Sequence, residues 1–149
     1  MTDKTKGFTL TRQLAASPEQ VWNAWTNPQE IAAWWHPKGA HTPIDSVSVD
    51  LRVGGRYQYA MVNDEDGTTV VTGGVYLELE PHSRLVFTWG EPDADPTATP
   101  VVTLTLTPKE SGTHLTLDLR GVEGQPGDGF FYDGWVSALE SLSDHFAHH

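Results

Sequence analysis

The chain of 149 residues contains no cysteine. A disulfide, a thiolate nucleophile and a cysteine-ligated zinc site are all excluded, and the lack of cross-links fits a reducing, cytoplasmic setting. Long hydrophobic runs are missing too. No stretch approaches the ~20 apolar residues of a transmembrane helix, and Met1 to Gly7 is polar, without the apolar segment of a signal peptide. No membrane contact is expected. Positive charge is scarce: nine Lys and Arg face 20 Asp and Glu, a net charge of −11. A field of that sign repels phosphate backbones and anionic headgroups, so nucleic acid is not an expected partner. The acidity reads as solubility. With no repeat of solenoid length and no linker, 1–149 reads as one domain with flexible ends at 1–6 and 147–149.

Bulky aromatics are present in number: six Trp, five Phe and four Tyr. Phe8, Leu10, Arg12 and Leu14 alternate onto one face and predict a first strand. Two short helices are predicted next. Ser17-Pro18-Glu19-Gln20 offers a Ser cap, Pro at the first helical position and Gln at the third, and Asn27-Pro28-Gln29-Glu30 repeats the logic with Asn and Glu. Val21, Ala24 and Trp25 share one helix face; Ile31, Trp34 and Trp35 share the next; Pro37 ends the helix.

From Ile44 to Arg120 the period is two. The inward sets are Val47, Val49 and Leu51; Tyr57, Tyr59 and Met61; Val75, Leu77 and Leu79; Leu85, Phe87 and Trp89; Val102, Leu104 and Leu106; and Leu115, Leu117 and Leu119. Polar residues between them predict an antiparallel sheet with one wet and one buried face. Turns fall at Val53-Gly54-Gly55, Asp64 to Gly67 and Lys109 to Gly112, and Glu91 to Pro100 reads as a mobile loop. A helix over roughly Asp128 to Phe146 carries the stripe Phe131, Trp135, Leu139, Leu142 and Phe146. The fold class is therefore α+β: a curved sheet of six to seven strands, two short helices after strand one, and a long C-terminal helix as cover. Gly134 inside that helix costs about 1 kcal/mol against Ala. We expect a close approach to the sheet as compensation, with a Cβ at 134 colliding there.

Four motifs, in this order and spacing, resemble the Hsp90-ATPase-activator-like branch of the START/Bet v 1 superfamily. They are Thr11-Arg12 leading to Ser17-Pro18-Glu19-Gln20-Val21-Trp22; Asn27-Pro28 followed by Trp34-Trp35-His36-Pro37; Asp50-Leu51-Arg52-Val53-Gly54-Gly55-Arg56-Tyr57; and Arg84-Leu85-Val86-Phe87-Thr88-Trp89 with Gly134-Trp135. The resemblance covers about residues 7–147. It implies a helix-grip fold with an internal cavity. Superfamily members bind lipids, hormones or polyketides, and some are cyclases or dehydratases. Eukaryotic co-chaperones carry the domain behind a separate Hsp90-binding domain, for which 149 residues leave no room. Members often place His three residues before the Gly-Trp pair, where this chain has Phe131.

The expected ligand is a hydrophobic or aromatic small molecule. Trp34, Trp35, Tyr57, Tyr59, Met61, Trp89, Phe131 and Trp135 are the candidate cavity lining, against the plainer reading of an aromatic core. Arg12 on an apolar strand face must be paired or reach solvent. Two readings compete: an edge ion pair with Asp50, or an anchor for a ligand carboxylate. His36 and His41 flank Lys38 at the expected cavity mouth and are further polar anchors, or plain surface histidines; their spacing matches no metal motif. His145, His148 and His149 read as a frayed tail. No catalytic constellation, metal site or cofactor is predicted. A cyclase or dehydratase using the same cavity, and an interaction module with a chaperone or a second copy of the chain (a homodimer) as partner, stand as alternatives.

Overall fold

The computed structural model describes residues 7–36, 39–90, 95, 99–109, 112–121, 124 and 131–147, with backbone alone at 131 and 147. The predicted flexible ends fall outside these residues, apart from the backbone of residue 147. So do most of the Glu91–Pro100 loop, the start of the predicted C-terminal helix, Lys38, His148 and His149. No helix among the described residues is long and apolar enough to cross a membrane.

Strand β1 (Gly7–Leu14) leads into helix α1 (Pro18–Thr26) and helix α2 (Pro28–Trp34). Both helix starts form as their sequences dictate. The Ser17 hydroxyl accepts from the Gln20 N–H at 3.2 Å, and the Gln20 side chain accepts from the Ser17 N–H at 2.9 Å. At α2 the Asn27 side chain accepts from the Gln29 N–H at 2.9 Å. The second half of the expected box does not form there. The Asn27 N–H already donates to the Asn23 carbonyl and closes α1, so no donor remains for Glu30. Glu30 turns instead to His145, at 3.0 Å.

A short β2 (Ala40–His41), a 3-10 turn at Ile44–Ser46 and β3 (Ser48–Val49) precede the long strands β4 (Arg56–Asn63), β5 (Thr69–Glu80), β6 (Arg84–Thr88), β7 (Val101–Lys109) and β8 (Gly112–Arg120). They form one antiparallel sheet of eight strands among the described residues, in the order β1-β8-β7-β6-β5-β4-β2, with β3 also on β4. The two-residue β2 lies beyond the predicted six to seven. β8 lies in register between β1 and β7: Leu10 faces Leu117 from one side, and Leu104 faces Leu117 from the other.

Two inward sets need correction. β3 lasts only Ser48–Val49, because residues 50–55 coil into a turn with Gly54 at φ 85°. Leu51 therefore points to solvent, 45% exposed. In β5, a bulge between Tyr76 and Glu78 adds a residue against β6 and inverts the alternation. Tyr76 faces the core opposite Phe87, and Leu77, expected inside, is exposed.

Helix α3 (Phe131–Ala147) covers the apolar face with Trp135, Ala138, Leu139, Leu142 and Phe146 buried. This arrangement is the helix-grip architecture. Its C-terminal half is tied to α2. The Ser141 hydroxyl donates to the His36 carbonyl at 3.4 Å, and His145, half-buried rather than in a frayed tail, meets Glu30. Gly134 differs from expectation: a Cβ built there meets no described atom within 4 Å, so no strand explains the glycine. The close approach occurs on β5 instead. A Cβ on Gly74 would overlap the Thr88 carbonyl, and one on Gly73 the Tyr57 carbonyl.

Candidate functional site

The buried face gathers an aromatic set from five elements. α1 supplies Trp25, and α2 supplies Trp34 with Trp35 just past its end. β4 contributes Tyr57 and Tyr59, β6 contributes Phe87 with Trp89 just beyond it, and α3 contributes Trp135. Trp35 lies at the centre. Its ring runs parallel to Trp34 at 5.5 Å and 4°, stacks on Tyr59 at 4.6 Å, and meets Phe87 edge-on at 5.7 Å. Trp25 is edge-on to both Trp34 and Trp35, and nearly parallel to Trp135 at 6.4 Å. Trp89, half-buried, packs on Trp135 at 5.2 Å. Met61 lies partly buried against the same core.

Local geometry explains why these rings hold their positions. The Trp34 indole donates to the Ala24 carbonyl at 2.7 Å, clamping α2 onto α1. The Tyr57 hydroxyl donates to the Thr88 carbonyl at 2.7 Å, across the close passage that Gly73 and Gly74 permit. The Trp89 indole donates to the Tyr59 hydroxyl at 3.3 Å. Burial holds the Tyr57 and Tyr59 phenols well above their ordinary value, with the Trp89 bond opposing this slightly at Tyr59. Both remain neutral donors near neutral pH.

Two polar atoms stand apart. The buried indole N–H groups of Trp25 and Trp135 have no hydrogen-bond partner. Their neighbours are aromatic rings, which are weak acceptors. Every polar residue buried among those described is a threonine, so no charged group lies in this interior.

The structure thus brings Trp34, Trp35, Tyr57, Tyr59, Trp89 and Trp135 into one connected set, with Met61 at its margin. The Phe131 side chain is outside the described part. Trp25 and Phe87 belong to the set, and Tyr76 on β5 packs on Tyr57 at its edge at 5.3 Å, although sequence reasoning left all three out of the site. Trp25 and Phe87 were legible only as core positions, and Tyr76 was hidden by the bulge.

The polar anchors lie elsewhere. Arg12 donates to the Thr11 carbonyl at 2.6 Å, and the expected pair with Asp50 does not form: β1 lies at one end of the strand order and β3, which leads into Asp50, pairs with β4 towards the other, where Asp50 meets Arg52 at 2.8 Å. The two-residue spacing of the 50–52 turn makes that local pair the shorter reach. His36 meets the Thr42 hydroxyl at 3.3 Å, and burial, then His41, lowers its pKa while Asp64 opposes this. His41 is exposed and paired with Asp64. Neither histidine ring hydrogen-bonds to a side chain of the aromatic set. Among the described residues no group of three His, Asp or Glu side chains is placed to hold a metal.

Residues 15–147 match the family model described as Activator of Hsp90 ATPase homolog 1-like protein. A crystal structure of a Chromobacterium violaceum protein is similar at TM-score 0.80 and 30% identity, covering 95% of this chain and 97% of that one. The crystal structure of a Silicibacter pomeroyi protein that bears the same family name is similar at TM-score 0.78 and 28% identity, over 96% and 99%. A Nitrosomonas europaea protein follows at TM-score 0.77 and 26% identity, over 95% and 94%. No curated protein matches the chain.

Proposed function

Because the chain belongs to the Activator of Hsp90 ATPase homolog 1-like family, whose fold is a ligand-binding one, we propose that it is a small-molecule binding module. Its occupant is a hydrophobic or aromatic compound received between the sheet and α3. The observation that supports this most directly is the pair of unpartnered indole N–H groups in an otherwise apolar aromatic interior. A buried donor without an acceptor costs about 1–3 kcal/mol, and two in one cluster are a standing deficit that a bound molecule offsets. Burying about 300 Å² of apolar ligand surface contributes roughly 7 kcal/mol gross at ~25 cal/mol/Å², before the cost of association. Micromolar binding follows without any ionic anchor. A cytoplasmic carrier or sensor role belongs to the same proposal.

The cyclase or dehydratase reading has less behind it. It needs a general acid or base within hydrogen-bond reach of the ligand. Burial disfavours the phenolate of Tyr57 and Tyr59 and so a base role for either, the Tyr57 hydroxyl already donates to the Thr88 carbonyl, and His36 and His41 bond to Thr42 and Asp64 instead. The binding reading is tested by native mass spectrometry of protein purified gently from its own host. A reproducible small-molecule adduct that disappears on denaturation is the expected result; repeatedly empty protein that also shows no thermal shift with any apolar probe refutes it.

A further inference from the structure

We propose that the junction of β5 and β6 at Val75 and Thr88 is a two-state latch. In one state, the one seen, the Thr88 carbonyl takes the Tyr57 hydroxyl. In the other it takes the Val75 N–H, which completes the ladder and releases the hydroxyls of Tyr57 and Thr88. The latch requires no ligand and is independent of the binding reading. Gly73 and Gly90 exchange both backbone bonds, at 2.8 and 2.9 Å, and Tyr76 stands opposite Phe87. Carried on from either pair, the register sets Val75 opposite Thr88. An antiparallel ladder exchanges bonds at every second pair, so the rung after Gly73 and Gly90 belongs to Val75 and Thr88. The backbone of Tyr76 agrees, because its N–H and C=O turn the other way, to Gly55 and Gly54. Yet the pairing of β5 with β6 leaves Val75 and Thr88 out. The Val75 N–H donates instead to the Thr88 hydroxyl at 2.8 Å, and the Thr88 carbonyl accepts from the Tyr57 hydroxyl at 2.7 Å.

Gly74 is what permits the state seen. It stands opposite Tyr57 across β4 and β5, and a Cβ on it would overlap both the carbonyl oxygen and the hydroxyl of Thr88. The Tyr57 side chain therefore crosses a strand position without a side chain and ties β4 to β6, two strands that do not pair with one another. A glycine inside a strand otherwise weakens it. The Val75 N–H keeps an acceptor in both states, so no buried backbone donor is left bare on passing between them. The state seen holds one bond more, the one from Tyr57, and the second state is the minor one, about 1–10% on the scale of a single net hydrogen bond. Completing the rung frees β4 to move relative to β6. The Tyr57 ring must shift with it against Trp35, at 5.8 Å, and Phe87, at 5.4 Å. Repacking of enclosed rings with a strand belongs to the microsecond-to-millisecond range.

Solution NMR of the full chain and two variants tests the latch. Scalar couplings across hydrogen bonds report which carbonyl an N–H reaches, and the Gly73–Gly90 rung serves as the internal standard. In wild type the coupling from the Val75 nitrogen to the Thr88 carbonyl carbon is expected to be absent beside that standard. Gly74→Ala closes the place where the carbonyl lies, and Thr88→Val keeps the shape and removes the hydroxyl acceptor. Each is expected to raise the coupling between Val75 and the residue 88 carbonyl to the size of the standard. Relaxation dispersion on wild type is expected at Val75, Thr88 and Tyr57, and not along the β7–β8 ladder. A wild-type coupling equal to the standard overturns the latch, because the rung is then already complete. A folded variant that lacks the coupling overturns it, as does wild type without dispersion at the three residues. Where Gly74→Ala fails to fold, Thr88→Val and the wild-type dispersion decide between the two outcomes.

Discussion

Tyr57 and Tyr59 lie two residues apart on the same strand face, with rings 6.4 Å apart and both fully enclosed, yet removing their hydroxyls has different expected consequences. The Tyr57 hydroxyl donates to the Thr88 carbonyl at 2.7 Å. Tyr57→Phe keeps the ring packed on Trp35 and leaves that carbonyl one partner short in a site closed to water. The loss combines a short net-favourable bond with part of the desolvation cost of its acceptor, about 1–2 kcal/mol. With an unfolding entropy of ~2.1 cal/mol/K per residue, this lowers the Tm by about 3–6 °C. The Tyr59 hydroxyl only accepts, from Trp89 at 3.3 Å, and the half-buried Trp89 ring has access to water as a substitute. Tyr59→Phe is therefore expected to change stability by less than ~0.5 kcal/mol. Urea melts of wild type and both variants, with the m-value unchanged as the sign that compactness is unaltered, separate the two. Equal losses in the two variants, or a Tyr57→Phe protein as stable as wild type, refute the assignment of the Thr88 bond as a structural one and make the Tyr57 hydroxyl a group reserved for a ligand.

Three further outcomes follow from single positions. Ser17→Ala removes the hydroxyl that accepts from the Gln20 N–H and leaves the backbone N–H that donates to the Gln20 side chain, and Asn27→Ala removes the acceptor of the Gln29 N–H; each is expected to lower stability by about 0.5–2 kcal/mol, chemical denaturation reads the loss, and wild-type stability in both counts against the cap geometry. Gly134→Ala places a Cβ where no described atom lies within 4 Å, so the gain in helix propensity stands alone and the variant is expected to be more stable by about 1 kcal/mol; a destabilised variant would restore a packing role for this glycine. His36 has a folded-state pKa below its ordinary 6.5, chiefly through burial. The unfolded chain then binds the proton more readily, so stability is full above pH 6.5 and falls as the pH drops below it. His36→Gln is expected to flatten the stability profile between pH 6.5 and 5, and an unchanged slope would place the titration elsewhere.

The sequence by itself determined the class of fold and most of its core. Period-two alternation, helix caps and turn residues act over a few positions, so β6, β7, β8, both short helices and the buried stripe of α3 were legible from neighbours alone. Most of the aromatic set was legible too, because large rings on inward positions have only one interior to share. What the tertiary structure decided depends on partners far apart in the chain. The bulge that turns Tyr76 inward and Leu77 outward is a property of two strands in register, not of either one. Glu30 left its expected cap because α1 had already taken the Asn27 N–H, and it found His145 at the far end of the chain. Arg12 has no pair with Asp50 because the strand order sets β1 apart from β3 and β4. Gly134 looked like a packing constraint because propensity is counted along the helix, whereas the space around a Cβ is fixed by what the fold brings beside it. The two indole N–H groups without acceptors could not be read from composition at all: every Trp carries the same donor, and only the packing of five elements determines which of them is left without a partner.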